Sequence, residues 1–310
     1  MKWFVFVFAA AACLEGQDST SVKLTPDLNG NLVAGASISE KQTPNGLQVT
    51  EKMQSINGSL VPRERVQERV IKDDASGRII ERMIYPYDQT GHPGPPEKTI
   101  IQEQKGSSGS TTHVTSYRGD INGNMVLYER SASETHINGS QESTETTVER
   151  NTMNGLEPVE KKTITKSGAK DNYEQNTVTY RKGESGFYPA VKETTTHTKQ
   201  NGVTTENSAE YEAASSGAME LHSQTVKRMA KNPDGSEVSE VDLYAKAVAG
   251  LVNPPDSKLS LKEHDTIERK AAAGGTVRET VSARRPSISD PNTLGPEKLI
   301  SETICKGKCQ

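Results

Sequence analysis

Apolar and polar residues along this chain form no helical stripe. Between short polar breaks the segments are rich in Thr and Val and poor in Leu, as in 162–166 (KTITK), 176–180 (NTVTY) and 192–198 (KETTTHT). Branched side chains suit a pleated backbone, so these segments read as strands. Segment 63–72 (RERVQERVIK) has Val66 and Val70 at helical spacing. It lies between Pro62 and Ser76-Gly77 and in frame with the other strands, so it too is expected to be extended. Segments 209–214 and 239–249 are open between helix and strand. Strict alternation from Met125 places Leu127, Glu129, Ser131, Ser133, Thr135 and Ile137 on one face. It places Val126, Tyr128, Arg130, Ala132, Glu134 and His136 on the other. Neither face is continuously apolar. Either both faces are wet over much of their length, or a shallow apolar stripe is buried at one end of each strand.

The breaks are regular. Asn-Gly occurs at Asn29-Gly30, Asn45-Gly46, Asn57-Gly58, Asn122-Gly123, Asn138-Gly139, Asn154-Gly155 and Asn201-Gly202. Ser-Gly or Asp-Gly stands in equivalent places at Ser76-Gly77, Ser108-Gly109, Ser167-Gly168, Ser185-Gly186, Ser216-Gly217 and Asp234-Gly235. A two-residue type I′ hairpin turn needs positive φ at both central residues, which Asn and Gly tolerate best. Every second break is about 31 residues from the last, and a fixed period signals a repeat. Gly30, Gly58, Gly94, Gly123, Gly155, Gly186 and Gly217 each open a unit, with a longer loop expected at 88–96 (DQTGHPGPP). The predicted fold is all-β: an extended antiparallel β-meander of repeated hairpins in units of about 31 residues, thin and polar on both faces.

Glu precedes a base at Glu51-Lys52, Glu68-Arg69, Glu81-Arg82, Glu129-Arg130, Glu149-Arg150, Glu160-Lys161 and Glu268-Arg269. Neighbouring residues on a strand face opposite ways, so the expectation is Glu on one face and base on the other, each meeting an opposite charge on a neighbour. From 249 the rhythm changes. Segment 251–256 (LVNPPD) reads as a linker or a wide turn, 258–270 and 276–287 as a hairpin around Gly274-Gly275, and 298–304 as a last strand. The domain reading is a signal peptide at 1–16, a hairpin array at 17–249, and a variant terminal hairpin with its tail at 250–310.

Composition narrows the picture. The single Trp and three of the four Phe lie within the first eight residues. These begin a stretch with one Lys, an apolar run and small residues, the layout of a secretory signal that is too short to span a bilayer. Cys13 follows Ala10-Ala11-Ala12, a loose lipobox, so a membrane tether is expected only if Cys13 is lipidated. The net charge of −4 offers no basic surface for nucleic acid. Cys305 and Cys309 are expected to close a local disulfide in an exported chain.

No catalytic constellation, cofactor motif or metal motif emerges. The histidines His92, His113, His136, His197, His222 and His264 read as surface residues. Segments 27–31 (DLNGN) and 120–124 (DINGN) resemble the start of a calcium loop, but the Gly comes too early and no Glu stands at the twelfth position. Tyr87-Asp88-Gln89-Thr90-Gly91 resembles a single copy of the Tyr-Asp motif of YD-repeat shell proteins, over five residues and without recurrence. Asn57-Gly58-Ser59 and Asn138-Gly139-Ser140 fit the glycosylation acceptor pattern. The expected role is a secreted or cell-envelope structural protein, non-catalytic, presenting a long sheet to an unknown protein or glycan at the cell surface. The alternatives are a disordered secreted chain that folds on a partner and a secreted hydrolase with an unrecognised carboxylate site.

Overall fold

The computed structural model describes residues 18–27, 29–120, 122–246, 259–287 and 293–306. The expected signal segment, Cys13, the 251–256 linker and Cys309 lie outside the described residues. The strands are β1 (Ser19–Pro26), β2 (Leu32–Gln42), β3 (Leu47–Ile56), β4 (Ser59–Asp74), β5 (Gly77–Pro86), β6 (Glu97–Gly106), β7 (Gly109–Gly119), β8 (Met125–Asn138) and β9 (Gln141–Thr152). They continue as β10 (Gly155–Ala169), β11 (Asn172–Gly183), β12 (Gly186–Gln200), β13 (Val203–Ala213), β14 (Met219–Lys231), β15 (Glu237–Ala245), β16 (Ser260–Ala272), β17 (Thr276–Arg284) and β18 (Lys298–Lys306). Each pairs antiparallel with the next, so the chain is the all-β meander expected of it. The ambiguous segments within the described residues, 63–72, 209–213 and 239–245, are strand.

The meander closes into a ring. β1 pairs antiparallel with β18, Val22 standing opposite Ile304 and Lys23 opposite Thr303. Closure leaves the sheet with no unpaired edge. At ~4.8 Å per strand and a tilt of roughly 40°, eighteen strands enclose a tube roughly 35 Å across if the section is round.

The tube has no packed core. Among the described residues, no side chain is less than 2 % exposed, and the buried apolar residues are Ile80, Ala283 and Cys305. Cross-strand partners share a face, so the two faces can be followed from strand to strand around the ring. Buried Ser19, Ile80, Thr177, Ala283, Ser301 and Cys305 all fall on one face. This is the concave side, where side chains converge. Buried Asp242 and Glu302 lie on the other face, under Arg228 and Arg278. The inner face carries hydroxyl ladders: Ser133–Thr146 at 2.9 Å, Thr135–Thr144 at 2.8 Å and Thr195–Ser208 at 2.9 Å. Such cross-strand pairs set the register where burial cannot.

All seven Asn-Gly pairs lie at chain reversals, but they are not all two-residue type I′ corners. Asn57-Gly58 and Asn201-Gly202 are, with both residues at positive φ. Asn29-Gly30, Asn45-Gly46 and Asn122-Gly123 sit in five-residue corners: the first residue's amide donates to the fifth residue's carbonyl, and the Gly amide to the first residue's carbonyl. Asn138 still pairs with Gln141, so that corner is Gly139-Ser140. At Asn154-Gly155 the corner is Met153-Asn154. Ser167-Gly168 is not a corner: Gly168 lies within β10, opposite Tyr173, and the chain turns at Lys170-Asp171.

One feature breaks period two throughout. An extra residue bulges from every even-numbered strand except β6: Gly35, Arg63, Tyr128, Val159, Ala190, His222, Lys262 and Ile300. Each of these lies just after an odd-to-even corner, so all eight ring the same rim; β4 carries a further bulge, Ile71, near the opposite rim. Ahead of β6 the long corner, bridged by Tyr87 and Pro93, takes the bulge's place. Bulges at barrel rims bend the strands and raise local twist. They also invert the faces read from strict alternation. Past Tyr128, Glu129 changes sides, so Met125, Leu127, Arg130, Ala132, Glu134 and His136 share the outer face. Val126, Glu129, Ser131, Ser133, Thr135 and Ile137 share the inner one.

Candidate functional site

Resetting the faces at each bulge brings out an ordered pattern on the outer face near the bulged rim. A base on an even strand stands opposite a Tyr on the next strand: Arg65 opposite Tyr85, Lys98 opposite Tyr117, Lys161 opposite Tyr180 and Lys192 opposite Tyr211. Gln224 opposite Tyr244 and Arg130 opposite Glu149 are variants of the same row. On the far side, Tyr117, Tyr180, Tyr211 and Tyr244 meet Leu127, Pro189, Leu221 and Leu261, each the residue just ahead of a bulge. Nearer the rim the same face carries Met125, Leu156, Phe187 and Met219. The result is a belt of half-exposed aromatic and aliphatic side chains with a row of bases beneath it. It lies at one end of the strands, where the sequence allowed a buried apolar stripe, but it is half-exposed rather than buried.

The bases differ in their partners. Arg65 lies 3.6 Å from Glu51, and Lys98 lies 2.6 Å from Glu81. The Lys98 ammonium, bonded to Glu81, holds that carboxyl below its usual range. Lys161 and Lys192 have no carboxylate partner among the described residues. Lys161 Nζ sits 4.9 Å from the Phe187 ring centre, and Lys192 Nζ 5.8 Å from that of Tyr211. Both fit cation–π geometry.

The inner face holds three further groupings. Arg118 stacks 3.6 Å from the ring centre of the bulged Tyr128, with Arg150 at 5.7 Å, beside a depression of about 320 Å³ also lined by Asp120, Val126 and Asn151. Tyr173 stacks on His197 at 4.8 Å, with Lys166 Nζ 4.0 Å from the Tyr173 ring centre and Glu206 3.6 Å from the imidazole. Burial, and secondarily Glu206, pushes the Tyr173 phenol up. Glu210, Glu212 and His222 bring donor atoms within 4.8 Å of one another. Register sets Glu193 opposite Glu210 and Glu212 opposite Glu220. Sequence spacing missed this trio, because only the bulge turns His222 toward Glu212.

The calcium-like loops use their own ligands. Asp27 Oδ1 accepts the amides of Asn29 and Asn31, and Asp120 Oδ1 those of Asn122 and Asn124. The same pattern recurs at Asp88, which caps Thr90 and His92. These carboxylates hold corners. The Asn-Gly corners are spread over both rims and converge on no one place. Cys305 is disulfide-bonded and buried opposite Ser21. No protein-family model matches the chain, and no curated protein matches it.

Proposed function

We propose that this chain is a secreted, non-catalytic structural protein of the cell surface, whose outer belt is the contact face for a protein or glycan partner. The observation that carries this reading is the recurrence of the base–Tyr pair in the same place on four hairpins, β4–β5, β6–β7, β10–β11 and β12–β13. A sheet needs no such row to fold, and half-exposed Tyr beside Lys or Arg is a common contact chemistry. An apolar band running around a tube exceeds the scattered exposure usual on a monomer.

The reading predicts that the purified chain binds members of a panel of cell-surface glycans and extracellular-matrix proteins. A Tyr117→Ser/Tyr180→Ser/Tyr211→Ser variant with an unchanged circular dichroism spectrum would lose those signals. Signals that survive in the variant, or release of cleaved glycan by the wild-type chain, contradict it.

A further inference from the structure

Resting on that reading, we infer that the belt sector across β10 to β14 receives an extended anionic glycan, laid tangentially along the rows Lys161–Tyr180–Pro189 and Lys192–Tyr211–Leu221. Three observations converge on this sector. Lys161 and Lys192 are the belt bases held only by aromatic rings, whereas Arg65 and Lys98 are occupied by Glu51 and Glu81. An anionic partner therefore gains most here, where no carboxylate must first be displaced. Tyr180, Phe187 and Tyr211 are half-exposed, and aromatic rings suit the C–H faces of pyranose rings. The two Lys–Tyr pairs are also offset by two strands, about 9.6 Å along the hydrogen-bonding direction. That is close to the length of one extended disaccharide, so a uronate on every second sugar would meet each Lys in turn.

A lipid leaflet fits less well. The corners beyond the belt carry Asp27, Asp120 and Glu184. These would have to enter the apolar layer before the belt reached it, at a high desolvation cost. A partner approaching from the side meets no such barrier.

Titration calorimetry of the purified chain with hexagalacturonate, cellohexaose and poly-L-glutamate tests this. Hexagalacturonate is expected to bind at least about tenfold more tightly than cellohexaose, in keeping with charge-assisted contacts. Its affinity should fall with salt. Lys161→Gln/Lys192→Gln should remove that preference and flatten the salt response, while Lys270→Gln, on the same face at the opposite rim, leaves both unchanged. Tyr180→Ala/Tyr211→Ala should weaken both sugars. Equal binding of the two hexamers, no binding of either, or tight hexagalacturonate binding indifferent to the Lys changes overturns the inference. Lys-dependent binding of poly-L-glutamate alone overturns the glycan assignment while leaving the belt as a contact face. If the Tyr variants of the panel experiment also keep their signals, the underlying reading fails as well.

Discussion

Arg82 directs Nε and Nη2 at a single oxygen of Glu68, at 2.9 and 2.7 Å, from the position directly across on β5. Arg69, the next residue after Glu68, faces Glu81 at 3.1 Å on the opposite side of the sheet. Two Glu-Arg dipeptides in antiparallel register thus satisfy each other on both faces. The arrangement recurs where Glu51-Lys52 faces Glu64-Arg65; where Glu129-Arg130 stands opposite Glu149-Arg150 the register is the same, with Arg150 bonded to Glu129. Glu therefore does not gather on one face and base on the other, because strand reversal alternates them. A dipeptide of this kind specifies register, since a one-residue slip sets Glu against Glu.

For Glu68 and Arg82, a double-mutant cycle with Glu68→Gln and Arg82→Gln should give a coupling of about 0.5–1 kcal/mol, the range for partly exposed, well-aligned pairs. The exchanged pair Glu68→Arg/Arg82→Glu should recover most of it. Urea unfolding of the four chains measures this, and a coupling near zero would reduce the pair to decoration.

Glycines should divide by what surrounds them. A Cβ at Gly109 would lie 1.8 Å from the Thr135 carbonyl oxygen, and one at Gly77 2.1 Å from that of Glu103. At Gly58 it would meet open space, although φ is +83°. Gly109→Ala and Gly77→Ala must push neighbouring backbone aside, at about 1–3 kcal/mol or more. Gly58→Ala meets only left-handed strain, about 1–2 kcal/mol. Unfolding midpoints that do not place Gly58→Ala as the mildest of the three would show that these strand approaches are looser than described.

Two corner carboxylates should govern the acid limb of stability. The Thr90 hydroxyl, followed by the His92 amide, lowers Asp88 to about 2. The Ser76 hydroxyl, followed by Lys72, lowers Asp74 to about 2. A depressed carboxyl stabilises the fold above its ordinary value of 3.8, and the benefit is lost as pH falls through about 2. Asp265 runs the other way: burial, then Glu263, raises its carboxyl, so its cost appears as pH rises through the folded value. Thermal scans from pH 5 to 2 should show a shallower acid decline for Asp88→Asn/Asp74→Asn, since Asn keeps the acceptor oxygen but does not titrate. A decline as steep as the wild type's would remove these corners from the account.

Strands and corners were legible because they depend on local chemistry. Thr and Val between regularly placed glycines sufficed for 162–166 and 192–198, and Pro62 with the repeat frame for 63–72. Faces were not legible, because one extra residue such as Tyr128 or Ala190 reverses everything after it and no residue type marks the position. The bulged residues range from Gly35 to Ile300. The base–Tyr belt was hidden for the same reason: Lys161 and Tyr180 are 19 residues apart, and only the register makes them neighbours. Closure was illegible for a different reason. Nothing local in 19–26 or 298–306 says that these two strands are partners.

Closure is the central claim, and a cross-link between Val22 and Ile304 tests it directly. In the ring these residues stand opposite each other, with a Cα separation of about 4.5–5.5 Å for an antiparallel pair, inside the span of a disulfide. In an open sheet of eighteen strands they would lie on edges roughly 80 Å apart. Oxidation of the Val22→Cys/Ile304→Cys chain at high dilution should give a monomeric cross-linked species in high yield. Chains that remain reduced under those conditions, or that couple only between molecules, would contradict the closed barrel.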